Sequence, residues 1–359
     1  MTPFVDRRYE EPMEALLDNK YVFRTTTFFL ERYLRYKFKY RCEKVIPESK
    51  TFIVVSNHTT NYDAIMLGLS FNKLLYSVAS DHIFRWGILS SLIKLLVSPI
   101  PRIKGKTEIR TTKEILKRMK RGGSVCIFAE GNRTFSGETV DIPESTGKLV
   151  KLSGSGLITY RIDGGYFSNP RWGRNLRRGA MSGRMVAEYS PSQLQKMSPQ
   201  RINEIIKQDL YVNAYAAQEK KPVRYIGKRL AENLEIALFL CPQCGGMDTL
   251  KSRDDHLECS CGLKVKYTPF GRLVDEHGTL PFDTITQWSR WQQSKLPLIA
   301  EEYMKSSGDE PLTSDAGQSL FKVERARKSS LIGRGKIALY KDRLVFLDSD
   351  GQSFSFPYC

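Results

Sequence analysis

The chain has 359 residues, enough for two or three domains, and its 41% hydrophobic content suits a folded body rather than a disordered one. Its 56 Lys and Arg against 39 Asp and Glu leave a formal net charge of +17, which points to anionic partners: nucleic acid, a lipid surface or phosphorylated small molecules. The opening "MTPFVDRRYEEPMEAL" lacks the layout of a secretory signal, and no run approaches the ~20 apolar residues of a spanning helix. The expectation is a cytoplasmic protein.

In chain order, residues 13–42 read as helix. Phe29, Tyr33, Tyr36 and Tyr40 recur at helical spacing, while Arg32, Arg35, Lys37, Lys39 and Arg41 crowd the same segment. A basic, aromatic, amphipathic helix of this kind suits an anionic bilayer surface. The alternative is a stripe docked on the core with its charges solvated. From 51 to about 130 the pattern alternates: strand 51–57, helix 62–70, strand 74–79, apolar helix 83–97, helix 107–121 and strand 124–129. Strands separated by helices predict an α/β sheet with largely parallel pairing. "SPQRINE" opens a further helix, another covers 282–304, and "SSGDEPLTSDAG" reads as a linker. The last residues give three short strands.

Four of the seven cysteines crowd into residues 241–261, which fits a metal site better than a disulfide framework. "CPQC" and "CSC" place Cys241, Cys244, Cys259 and Cys261 as two pairs on tight turns, each followed by glycine. Four thiolates in that grouping suit a closed, structural Zn²⁺ site, with His256 close enough in sequence to be an alternative ligand. The module resembles a zinc ribbon, which names a staple rather than a function.

The chemistry concentrates in two other stretches. "TFIVV" reads as a buried strand, and "SNHTTNYD" follows it, with Asp63 heading the apolar run "AIMLGLS". His58 and Asp63 are either a catalytic pair or a helix cap. "SVCIF" is a second apolar strand, followed by Glu130, Gly131 and Arg133. Parallel strands end on one edge of a sheet, so these residues can approach His58, and "PIPRIKG" offers Arg102 from another loop. A histidine, an acid to orient it and converging arginines suit deprotonation of a hydroxyl on an anionic substrate.

"NHTTNYD" resembles the His-x4-Asp motif of glycerolipid acyltransferases of the lysophosphatidic acid acyltransferase type. "FAEGNRT" is similar to that family's Phe-Pro-Glu-Gly-Thr-Arg-Ser block, and "PIPRIKG" to its intervening arginine motif. The resemblance covers about residues 45–190. Ala129 and Asn132 depart from the third block, and "GLITYRIDGGYFSNPRWGRN" stands where the family has a proline-containing apolar segment. The resemblance implies catalysis by His58 and Asp63, and substrate binding by Arg102, Glu130, Gly131 and Arg133. The implied reaction moves a fatty acyl group from acyl-CoA or acyl carrier protein to a lysophospholipid, foremost 1-acylglycerol-3-phosphate, giving phosphatidic acid. With the basic aromatic helix, the expected place is peripheral, on the inner face of the cell membrane. In this reading residues 1–47 are a basic helical region, 48–235 an acyltransferase domain of mixed α/β sheet, 236–272 a zinc ribbon, and 273–359 a helix, linker and β-rich segment. The terminal strands resemble part of a lipid-binding β-domain of the GRAM type. The competing class is a zinc-ribbon nucleic-acid-binding protein. It accounts for charge and cysteines but leaves the two motif blocks as coincidence.

Overall fold

A computed structural model describes residues 20–71, 73, 75–80, 99–102, 109–275, 278, 280–322 and 330–358. The expected helix over 83–97 lies outside the described residues. The chain divides into two compact units, one holding the residues up to Leu230 with Thr268–Gly271, the other Ala231–Tyr267 with the residues from Arg272 onward.

The first unit is built on a seven-stranded sheet in the order β1-β7-β6-β2-β5-β3-β4. Its strands are β1 (Tyr40–Cys42), β2 (Phe52–Ser56), β3 (Leu75–Ser80), β4 (Ile100–Arg102), β5 (Ser124–Phe128), β6 (Gly156–Asp163) and β7 (Met181–Tyr189). All five residues of β2 are buried, because helices cover both faces of the sheet. β2 pairs in parallel with β5 and β6, with Ser56 opposite Phe128 and Tyr160, so the turns that follow these strands share one edge. Among the described residues of this sheet, β6 and β7 pair in antiparallel fashion and the other pairs are parallel.

One face packs against α1 (Lys20–Phe38) and α2 (Asp63–Phe71), through Leu34, Phe38, Met66 and Leu67. The other meets α3 (Ile109–Lys120), α4 (Ser145–Ser153), α6 (Pro191–Gln195) and α7 (Pro199–Leu210). Between these last pairs lies the short α5 (Gly165–Ser168). Ser198 caps α7 by accepting the Arg201 N–H, with Pro199 at the first helical position.

Helix α1 stops at Phe38, so Tyr40 leaves the aromatic stripe and lies buried in β1, parallel to β7. The rest of the stripe faces outward: Phe29 is 65% exposed, Tyr33 45% and Tyr36 72%, while Leu34 and Phe38 are at 0%. The core is met by Leu34 and Phe38, not by the aromatic stripe. Strands β6 and β7 were not expected from the sequence. They supply the side of the sheet next to β2.

In the second unit, β8 (Leu250–Arg253), β9 (His256–Cys259), β10 (Lys264–Tyr267) and β11 (Leu273–Asp275) form an antiparallel meander. Helix α8 (Ala214–Lys220) is the last helix of the first unit, and in the second unit helix α9 (Ile285–Lys305) starts at a capping box, Thr284 with Gln287. Another antiparallel sheet follows, made of β12 (Thr313–Lys322), β13 (Ser330–Leu339), β14 (Arg343–Asp348) and β15 (Ser353–Pro357). β12 takes in the second half of the expected linker.

Candidate active site

His58 follows β2 by two residues and Asp63 is the first residue of α2. His58 Nδ1 lies 2.9 Å from Asp63 Oδ2. Asp63 is fully buried on its side chain and also accepts the Thr59 N–H at 2.6 Å, the Thr60 N–H at 2.9 Å and the Thr60 hydroxyl at 2.6 Å. These donors precede the helix, so the carboxylate does not cap it; it draws the turn between β2 and α2 together and holds the histidine ring. With a carboxylate at Nδ1, that nitrogen holds the ring proton and Nε2 is left as a base. The ring stacks on Phe128, with centroids 4.7 Å apart, and remains partly exposed.

Glu130 follows β5, next to β2 in the sheet. Its Oε1 accepts the His58 N–H and its Oε2 the Val140 N–H, both at 2.8 Å. It thus ties the histidine loop to the 140 loop, and its hydrogen bonds go to main-chain N–H groups rather than to Arg133. Burial pushes its carboxyl up to about 7, against the lowering effect of the two N–H donors. A carboxyl with a folded value above its ordinary 4.5 favours folding below that pH and loses the contribution as pH rises to about 7. Glu130→Gln cannot titrate. The wild-type-minus-variant difference in melting temperature should fall across that window and level off above it; a constant difference would mean that Glu130 does not titrate there.

Arg133 donates from Nη1 to the main-chain oxygen and Oδ1 of Asn169, at 2.9 and 3.0 Å. Gly131 adopts a positive φ of 69°, which carries the chain round from Glu130 toward Arg133. Arg102 ends β4 and is exposed; β5 and β3 lie between its strand and β2. The structure places it on the same edge as His58 but not against the dyad.

Three contributors were missed in the sequence. Asn57 donates from Nδ2 to the Ile162 oxygen and accepts the Ile162 N–H, at 2.9 and 2.8 Å, which fixes the end of β2 to β6. Phe128 supports the imidazole, and Asn169 holds Arg133. Asn57 and Phe128 stand inside the two motif blocks, and their roles depend on strand pairing that no spacing reveals. The segment in place of the family's fourth block packs on the site: a Cβ on Gly165 would meet Thr59 Oγ1 at 2.1 Å.

The second unit holds the cysteine cluster. The four Sγ atoms lie within 4.8 Å of one another and could hold a metal ion. Sγ of Cys241 is 3.8 Å from that of Cys261, and Sγ of Cys244 is 3.7 Å from that of Cys259. A tetrahedron with metal–sulfur bonds of about 2.3 Å has edges of about 3.8 Å, so the spacing fits the ion before it is added. Gly245 and Gly262 follow the two pairs with φ of 70° and 98°, a left-handed backbone that side chains disfavour. His256 is not among the clustered ligands. Trp288 of α9 is fully buried and donates from Nε1 to the Leu240 oxygen, and Gln292 binds the main chain of Ala237 and Phe239, so the helix braces the first knuckle.

Among the described residues no helix is long and apolar enough to cross a membrane. Comparison with curated proteins finds no match. Among solved structures, the chain is similar to the 1-acyl-sn-glycerophosphate (LPA) acyltransferase PlsC from Thermotoga maritima, at 19% identity and a TM-score of 0.47, over 61% of this chain and 85% of that one. Residues 37–162 match the acyltransferase family model, a span that holds both motif blocks, the dyad, Glu130 and Arg133. Residues 37–162 are thus an acyltransferase-family domain within the chain.

Proposed function

We propose that the protein transfers a fatty acyl group from acyl-CoA or acyl carrier protein to the free hydroxyl of a lysophospholipid, with 1-acylglycerol-3-phosphate as acceptor and phosphatidic acid as product. The observation that carries this reading is the His58 Nδ1–Asp63 contact of 2.9 Å, which leaves Nε2 as a base on the edge where Glu130 and Arg133 also stand. His58 takes the acceptor's hydroxyl proton as the oxygen attacks the thioester carbonyl, and Asp63 stabilises the imidazolium that forms. Collapse of the tetrahedral intermediate breaks the C–S bond, and the thiolate leaves with the proton returned from His58. No acyl-enzyme is required, so no nucleophilic side chain is needed. Glu130 keeps His58 in place, while Arg133 and Arg102 act on the acceptor's phosphate.

The acceptor lives in a bilayer, and α1 offers a surface for one. Phe28, Phe29, Tyr33 and Tyr36 are exposed on a helix that also carries Arg32, Arg35 and Lys37, and the Arg178 guanidinium lies 5.3 Å from the Tyr36 ring centre. Exposed aromatics amid cations suit insertion at an anionic lipid surface. The metal of the cysteine cluster is Zn²⁺ in this reading, with a structural role.

The test is transfer of labelled acyl-CoA to lysophosphatidate presented in vesicles, either anionic or neutral. Labelled phosphatidate is the expected product, formed faster on anionic vesicles, with the advantage shrinking as salt screens the contact. Tight, saturable oligonucleotide binding without any acyl transfer would replace this reading with the nucleic-acid one.

A further inference from the structure

Arg133 and Arg171 stand beside each other, and every acceptor that fixes them is neutral. Arg133 is held by the main-chain and side-chain oxygens of Asn169. Arg171 donates from Nη1 to the Arg133 main-chain oxygen at 3.0 Å, and its guanidinium lies 4.1 Å from the centre of the Phe135 ring. Neither forms an ion pair with a carboxylate among the described residues. The carboxylate that does act on Arg133 is Asp63, already committed to His58, Thr59 and Thr60.

The two guanidinium groups share one partly buried place without a hydrogen-bonded counter-ion. Burial pushes the Arg133 guanidinium below its ordinary range, the Asp63 charge opposes that, and the Arg171 charge adds a smaller push down. A pair of like charges hydrogen-bonded only to neutral oxygens, with Asp63 acting on one of them at a distance, is complete when an anion takes the remaining donors. Each guanidinium offers five N–H groups in a planar fork, and only the Nη1 atoms carry the bonds described here. A phosphate monoester carries nearly two charges and three terminal oxygens at neutral pH, enough to engage two forks. A diester has one charge and two free oxygens, and satisfies the pair less well.

The pair is also fixed to the dyad through its loops. Glu130, three residues before Arg133, holds the His58 N–H. Asn169 caps α5, and Gly165 at the other end of that helix packs on Thr59. Asn169 itself is only 6% exposed.

We propose that Arg133 and Arg171 form a paired-guanidinium subsite that selects acceptors ending in a phosphate monoester over those with a diester or zwitterionic headgroup. Asn169 is the positioning residue that holds Arg133 without neutralising it. The proposal rests on the acyl-transfer reading above and adds the second arginine and the residue that positions the first.

The test measures kcat and KM of the full chain with labelled acyl-CoA and three acceptors of one chain length: lysophosphatidate, lysophosphatidylglycerol and lysophosphatidylcholine. Wild type should prefer lysophosphatidate. Arg171→Gln should raise KM for it by roughly thirtyfold, as for losing one hydrogen-bonded charge partner, and KM for the diesters by no more than about threefold. Arg171→Lys, which keeps the charge but not the fork, should fall between.

Asn169→Asp is the sharper variant, because it keeps shape and acceptors while adding a carboxylate on Arg133. Its melting temperature should hold or rise while KM for lysophosphatidate climbs and the diester values stay put. If Asn169 is merely a structural tie, Asn169→Asp moves all three KM values together or none of them, and the subsite is overturned. A wild type that uses a diester as well as lysophosphatidate overturns the selection but leaves acyl transfer standing. Transfer to none of the three overturns both.

Discussion

Replacing His58 with alanine should lower kcat for acyl transfer by roughly 10²- to 10⁴-fold, the range that general-base catalysis contributes. The fold should survive. The contacts that hold the loop belong to Asp63 with Thr59 and Thr60, and to Glu130 with the His58 main-chain N–H, and alanine keeps all of them. The imidazole itself contributes one hydrogen bond and its stacking on Phe128. Asp63→Asn tests the same assignment by a different route. An amide N–H pointed at Nδ1 drives the ring proton to Nε2 and removes the base, a tautomer error worth about 10⁴ in the serine-protease triad. It also leaves some of the threonine donors without an acceptor in a buried place, so Asp63→Asn should melt earlier than wild type while His58→Ala does not. The checks are kcat at saturating acceptor and a thermal melt of both variants. If His58→Ala kept turnover within about tenfold of wild type, a smaller loss than general-base removal brings, the assignment would fail.

The dyad was legible because its signals are local. β2 is a buried, largely β-branched run that stops at a polar turn, and the turn ends on an acid heading an apolar helix. The role of Glu130 was not legible. Its partners are main-chain N–H groups from residues 72 and 10 positions away, and main-chain donors carry no signature in sequence. The end of α1 was missed for a related reason. Lys39 takes a left-handed φ of 48° without glycine or proline to announce it, so the periodicity ran on through Tyr40 into what is a strand. β6 hid its nature by carrying Thr159, Arg161 and Asp163 in a place where a buried strand is expected to be apolar. Two of them have partners in or near α7: Thr159 binds the Asp209 carboxylate and Arg161 the Asp209 main-chain oxygen. β12 read as linker because Ser314, Asp315, Gly317 and Ser319 give it loop chemistry, although its backbone pairs along β13. The cysteine cluster was fully legible, since two close pairs leave little freedom except to converge.

That convergence sets up the largest expected effect on stability. The purified chain should carry one Zn²⁺, held by Cys241, Cys244, Cys259 and Cys261, with no open position for substrate. Thiolates brought to within 4.8 Å repel one another unless a cation sits among them, so the apo knuckles should not keep this geometry. Structural zinc contributes on the order of 10–16 kcal/mol in zinc-finger peptides, more than the stability of a typical small domain. The short strands of the meander bury few large side chains, among them Leu250, Leu257, Leu263 and Val265, and Trp288 of α9 is buried with its Nε1 on the Leu240 oxygen. Chelation, or Cys241→Ser together with Cys259→Ser, should therefore unfold β8–β11 and release α9. Trp288, buried against Leu240, should shift its emission to the red, and protease cuts should appear within residues 231–305. The chemistry at His58 uses none of these side chains, so transfer should fall only as the chain becomes less stable. Lowering the temperature should restore transfer without zinc. A folded chain that contains no zinc would overturn the site. So would activity that tracks zinc one-for-one while β8–β11 stay folded, since that would make the metal catalytic rather than a staple.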